Sequence, residues 1–130
     1  MSTTTTNERS KIQTYGSYFL MALLTLGVGV AGGLFKIVNN ATWTERFINF
    51  GYPLWFMYLI GIVEIVAAVA LWIPKTRALG SLAIVMVMIG ALITNLLAGE
   101  PIIADIFFLL MALIVAWIYR DNLQTLLKQS

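Results

Sequence analysis

Residues 54–73 read LWFMYLIGIVEIVAAVALWI, twenty residues whose only charge is Glu64, near the middle. At a rise of 1.5 Å per residue this run matches the roughly 30 Å hydrocarbon core of a bilayer, so it reads as a membrane-spanning helix. A carboxylate halfway along such a helix costs about 2.5–3.5 kcal/mol unless a counter-charge, a donor or water meets it. The rest of the chain has to supply that partner.

Three more windows have spanning length: residues 16–35 and 79–98 carry no charge, and residues 101–119 carry only Asp105. The chain is 60% hydrophobic and 11% charged, against about 25% charged in an ordinary soluble domain. These observations predict an all-α fold, an integral membrane four-helix transmembrane bundle. Its spans fall at about 15–38, 54–73, 79–98 and 101–119, in one domain covering residues 15–121. Residues 1–14 read as a disordered polar tail, and residues 122–130 as a cytoplasmic C-terminal tail. The first apolar run has full spanning length and no small-residue cleavage site, so it is expected to remain as a span.

With no cysteine and no histidine, the chain has no thiolate, disulfide or imidazole chemistry and none of the usual ligands for zinc, copper or haem iron. The net charge of +2 comes from scattered basic residues that form no stripe, which excludes a nucleic-acid reading. Those residues mark topology instead. Arg9, Lys11, Lys75, Arg77, Arg120 and Lys128 fall on one side, and Lys36 and Arg46 on the other, so the positive-inside rule puts both termini in the cytoplasm.

The longest external connection, residues 39–53, contains Thr42-Trp43-Thr44-Glu45, the form of a capping box. Trp43, Phe47 and Phe50 then repeat at helical spacing, which predicts a short amphipathic helix in the outer interface, with Tyr52 and Trp55 at headgroup level. In span one, Gly29 and Gly33 form a GxxxG pair, a face suited to close approach by another helix of the bundle or by a second protomer.

Four polar residues fall in the outer half of the bundle: Lys36, Glu64, Asn95 and Asp105. Helical side chains lean toward their own N-terminus, which aims Lys36 and Glu64 at each other across a depth gap of roughly 11 Å. Two acids face one base, leaving one carboxyl without a counter-cation. The cluster reads either as a buried network that fixes helix register or as a site for a ligand, proton or substrate. Glu64 and Asp105 sit on different spans and make no catalytic signature, so no catalytic residue is assigned.

Gly32-Gly33-Leu34-Phe35-Lys36-Ile37, then Phe50-Gly51-Tyr52-Pro53-Leu54-Trp55, then Tyr58, Gly61 and Glu64, then Leu71 and Pro74, and finally Gly90-Ala91 together resemble the DoxX-like family of small four-helix membrane proteins. Where many such proteins carry Ser-His in span three, this chain has Thr94-Asn95, so no role of that histidine carries over. The resemblance implies an accessory or redox-associated protein of the bacterial inner membrane (plasma membrane, multi-pass). An outward-facing pocket would bind a small apolar molecule, a quinone or lipid. Pocket candidates are Lys36, Glu64, Asn95, Asp105, Trp55 and Tyr58; helix-packing candidates are Gly29, Gly33 and Gly61. No intrinsic cofactor or metal is expected beyond a diffusible quinone. The expected partners are the lipid bilayer, another membrane protein, and a second copy through the glycine face of span one. Two alternatives stay open: a scaffold or assembly partner for another membrane protein, and a small proton-coupled carrier.

Overall fold

The computed structural model describes residues 2–38 and 41–121. The first span starts as α1 (Ser2–Leu24), widens into a π-helical stretch (Thr25–Leu34) and ends in one α turn, α2 (Phe35–Ile37). It is followed by α3 (Ala41–Phe50), α4 (Leu54–Leu71), a 3-10 turn (Pro74–Thr76), α5 (Arg77–Ala98) and α6 (Ile103–Ile118). No strand occurs among the described residues. Ile12–Ile37, Leu54–Leu71 and Pro74–Ala98 are long and apolar enough to cross a membrane, and α6 is a shorter apolar helix beside them. In lipid only helices and closed barrels satisfy their own backbone groups. The molecule is a helical membrane bundle.

Residues 2–14 differ from the disordered tail expected of them, because helix runs unbroken from Ser2 into the span. No glycine or proline lies between Ser2 and Tyr15, so nothing interrupts the hydrogen-bond ladder there. The expected tail at 122–130 lies outside the described residues.

Each span packs on the next: the first on α4, α4 on α5, α5 on α6, and α6 back on α1. Neighbours are antiparallel. Trp72 Nε1 at the end of α4 donates to Thr25 Oγ1 (2.8 Å), whereas Lys36 at the end of the first span meets Glu64. Ser81 donates to the Ala112 carbonyl and Asn95 to Asp105, which fixes α5 against α6 in the same sense. The start of the first span and the end of α6 therefore share one end of the bundle, and α3 covers the other. Two tight turns make this possible. Gly51 (φ 83°) and Gly99 (φ 73°) take the left-handed conformation that closes α3 and α5.

The half nearest the tails is packed dry. Met21, Leu24, Leu71, Ile84 and Val115 have no exposed surface. A Cβ on Gly80 would stand 2.7 Å from the Ala67 carbonyl oxygen, so α4 and α5 touch backbone to backbone. Arg77, one of the two cations at the turn between them, is 8% exposed. Its Nε donates to the Leu71 carbonyl (2.7 Å), satisfying the end of α4, while its guanidinium lies over the rings of Tyr119 (4.8 Å) and Tyr18 (5.6 Å). The tyrosine faces attract the cation. Ser17 and Tyr119 share a hydrogen bond of 2.6 Å beside it, tying the first span to the last.

Candidate functional site

The site begins with glycines. A Cβ on Gly33 would lie 2.9 Å from the Gly61 carbonyl oxygen, one on Gly61 3.0 Å from the Gly33 carbonyl oxygen, and one on Gly29 2.7 Å from Ala68 Cβ. The first span and α4 therefore approach as closely as backbones allow. Of the two occupants expected of that face, another helix of the bundle or a second protomer, it is the bundle helix α4 that lies against it.

The same contact sets the depth of the polar residues. Lys36 Cβ lies 3.1 Å from where a Gly61 side chain would start, so Lys36 is level with Gly61 rather than with the first turn of α4. Glu64 is then only three residues deeper, about 4.5 Å at 1.5 Å per residue, and the expected 11 Å gap disappears. Lys36 Nζ contacts Glu64 Oε1 directly at 2.5 Å, with the two residues 4% and 2% exposed. The second carboxylate oxygen, Oε2, occupies the place a side chain on Gly32 would fill.

Helix α3 completes this corner. Trp43 Nε1 donates to the Ala31 carbonyl (3.1 Å), which lays the indole over Lys36 with Nζ 3.9 Å from the ring centroid. The Arg46 guanidinium stands 5.3 Å from the same ring. Thr42 lies inside α3, which already starts at Ala41, so the expected capping box does not form with Thr42 at its N-cap. The helix is held by its aromatic face instead. Phe47, Tyr52 and Phe56 form a mutually edge-on or tilted cluster with centroids 5.4–6.3 Å apart.

Beneath this roof the bundle holds a half-open cavity of about 770 Å³. Its body is apolar, walled by residues such as Ile60, Val63, Val87 and Met88, and the Phe108 ring closes it on the α6 side by lying against Gly27. Gly90 opens on it with no atom within 4 Å of where its Cβ would be. Lys36, Glu64, Asn95 and Asp105 all reach this cavity, as two pairs on different helices. Lys36 holds Glu64, while Asn95 Nδ2 donates to Asp105 Oδ2 (2.5 Å). Asp105 follows the axis of α6 and Lys36 that of the first span, so the single four-membered cluster expected from depth alone is divided.

Trp55 and Tyr58 do not line the cavity. Residues 56, 60 and 63 share the inward stripe of α4, and Phe56 stands where Trp55 was expected. Trp55 lies on the outer stripe, 66% exposed, with Tyr58 one turn on at 39%. The lining residues that sequence reasoning missed are Trp43 and Arg46, with Tyr52 and Thr94, whose hydroxyls share a bond of 2.8 Å. Aromatic spacing marked Trp43 as part of a helix; nothing in the spacing named its cationic partner.

The charged groups that line the cavity, Lys36 and Arg46 against Glu64 and Asp105, sum to zero. Among the described residues no three acidic side chains gather to hold a metal ion. What the arrangement can do is bury hydrocarbon and present a polar group to one end of it.

No curated protein and no solved structure matches this chain. The family model described as the DoxX-like family matches residues 19–119, a stretch that contains the close-packed glycines, both polar pairs and every residue that lines the cavity. On that match, spanning most of its length, the chain belongs to the DoxX-like family.

Proposed function

We propose that this protein binds a small apolar molecule, a quinone or a lipid, in the cavity under α3, with the molecule's polar end at Lys36 and Glu64. The observation that carries the reading is an ion pair buried beside empty apolar space. A pair needed only to fix register would be packed on every side, whereas this one borders about 770 Å³, inside the roughly 300–1,000 Å³ range of small-molecule sites. The residues suit a quinone in its reduced, quinol form: the ammonium of Lys36 offers a donor to the ring oxygen, Glu64 an acceptor for its hydroxyl, and the apolar walls accept a ring and tail. A bound quinone would supply electron transfer, and this chain would bind and orient it and keep water away. Such a protein serves a redox system as an accessory.

The test is gentle purification followed by absorbance and mass spectrometry of the extract. A stoichiometric small molecule should accompany the parent chain and be absent from Gly90→Phe, which puts a ring on the cavity wall where nothing lies within 4 Å of the new Cβ. Identical extracts from the two proteins would sink the reading.

We further place the protein in the bacterial inner membrane as a multi-pass protein, with both termini cytoplasmic and α3 in the outer interface. The charge distribution supports this orientation: the connection at Pro74–Thr76 carries Lys75, the one at 99–102 carries no cation. The chain has no cysteine, so single introduced thiols report cleanly. In intact cells Glu100→Cys is expected to react with an impermeant maleimide, and Lys75→Cys only after permeabilisation. The reverse pattern would invert the topology.

A further inference from the structure

Glu64 is 2% exposed, and only one of its carboxylate oxygens has a hydrogen-bond partner among the described residues. Oε1 is held by Lys36; Oε2 lies over Gly32, with Gly32 and Glu64 both on the cavity wall. A buried acceptor left unmet is expensive, and native proteins rarely leave one without a reason. Lys36 is in the complementary position. Of its three N–H donors one goes to Glu64, the indole of Trp43 attracts the ammonium on another side, and a third donor meets no acceptor among the described residues. Within one ion pair the cavity thus presents an acceptor and a donor together.

The charge balance narrows what can meet them. Lys36 and Glu64 already neutralise each other, and the cavity as a whole holds two cations and two anions. A carboxylate, phosphate or ammonium seated against this pair, whose members are 4% and 2% exposed, would bring a charge that the pair itself does not compensate, which is unfavourable. An ether or ester could accept from Lys36 and would leave Glu64 Oε2 unmet. The smallest uncharged group that does both is a hydroxyl, which donates its proton to the carboxylate and accepts from the ammonium with a lone pair of the same oxygen.

We infer that the cavity selects uncharged amphiphiles whose polar end is a hydroxyl, an alcohol or phenol, with the hydroxyl seated between Glu64 Oε2 and Lys36 Nζ. This rests on the reading of the cavity as a ligand site and names the head group that site takes. The hydrocarbon part lies along Ile60, Val63 and Val87, and the second polar pair, Asn95 with Asp105, is left for a second polar group on longer ligands.

The experiment uses the full chain in detergent, offered dodecan-1-ol, its methyl ether, dodecanoate and dodecylammonium at equal concentration, with retained adducts counted by native mass spectrometry. The alcohol should be retained about tenfold or more over the ether, the ratio set by one hydrogen bond to a charged group. Neither ion should rise above the level seen with Gly90→Phe. In the double variant Lys36→Met with Glu64→Leu, whose bundle is checked by circular dichroism, the preference of alcohol over ether should fall to about one while the ether is still held. Equal retention of alcohol and ether by the parent, or a preference for either ion, overturns the hydroxyl assignment and leaves the cavity as a binding site. Retention of none of the four above the Gly90→Phe level overturns the binding reading itself.

Discussion

Lys36→Met is expected to be the most damaging single substitution in the chain, lowering stability by about 3–5 kcal/mol, the usual penalty for leaving one member of a buried ion pair alone. The reason is local. Glu64 is 2% exposed, and Lys36 is the partner of its bound oxygen. The second change, Glu64→Leu, should recover most of the loss, since exchanging a whole buried pair for apolar residues of similar volume is often neutral or better. Loss of helical circular dichroism on titration with a denaturing detergent measures both variants against the parent. A single variant as stable as the parent would mean that Glu64 finds another partner or water, and that the pair does not hold α4 to the first span.

Gly33→Leu should come close behind, through sterics rather than charge. Even the first atom of the new side chain would stand 2.9 Å from both the Gly61 carbonyl oxygen and Ile65 Cγ1, so the two helices have to part. Overpacking of this kind costs about 1–3 kcal/mol, and parting the helices also stretches the Lys36–Glu64 contact, which takes the expected loss to the upper end of that range or beyond. Gly90→Leu is the matched control. It adds the same side chain on α5 where nothing lies within 4 Å, and the same detergent titration should place it within about 0.5 kcal/mol of the parent. Equal losses for the two glycines would show that the close approach of the first span to α4 is not what the fold depends on.

Much of this architecture is legible in the sequence because hydrocarbon imposes so few solutions. Length and hydropathy locate the helices to within a few residues: α4 ends at Leu71 rather than 73, and α5 begins at Arg77 rather than 79. The meeting of Lys36 with Glu64 was also readable, from the opposite lean of their side chains. Its intimacy was not, because helix register depends on which glycines touch, and a GxxxG pair does not name its partner. The π-helical stretch at Thr25–Leu34 was equally hidden. Glycine-rich runs satisfy α and π ladders alike, and hydropathy cannot see the extra residue per turn. Which acid Lys36 meets, Glu64 or Asp105, is not legible from depth alone, which places residues along the membrane normal but not around it. Trp55 and Tyr58 were carried into the site by their place in a motif, although a helix turns 100° per residue and puts them on the stripe opposite to Phe56. For Arg77 the sequence shows where the turn is, and not which rings fold back over it.

The indole that roofs the cavity also gives the molecule a built-in optical signal. Trp43 has an ammonium 3.9 Å from its ring centroid and its N–H committed to a carbonyl, while Trp55, Trp72 and Trp117 lie off the cavity wall. An indole's emission follows the field across its ring, so any occupant that shifts the Lys36 ammonium should recolour the fluorescence of this one tryptophan. Occupancy could then be followed in real time, in an intact bilayer, without attaching a dye.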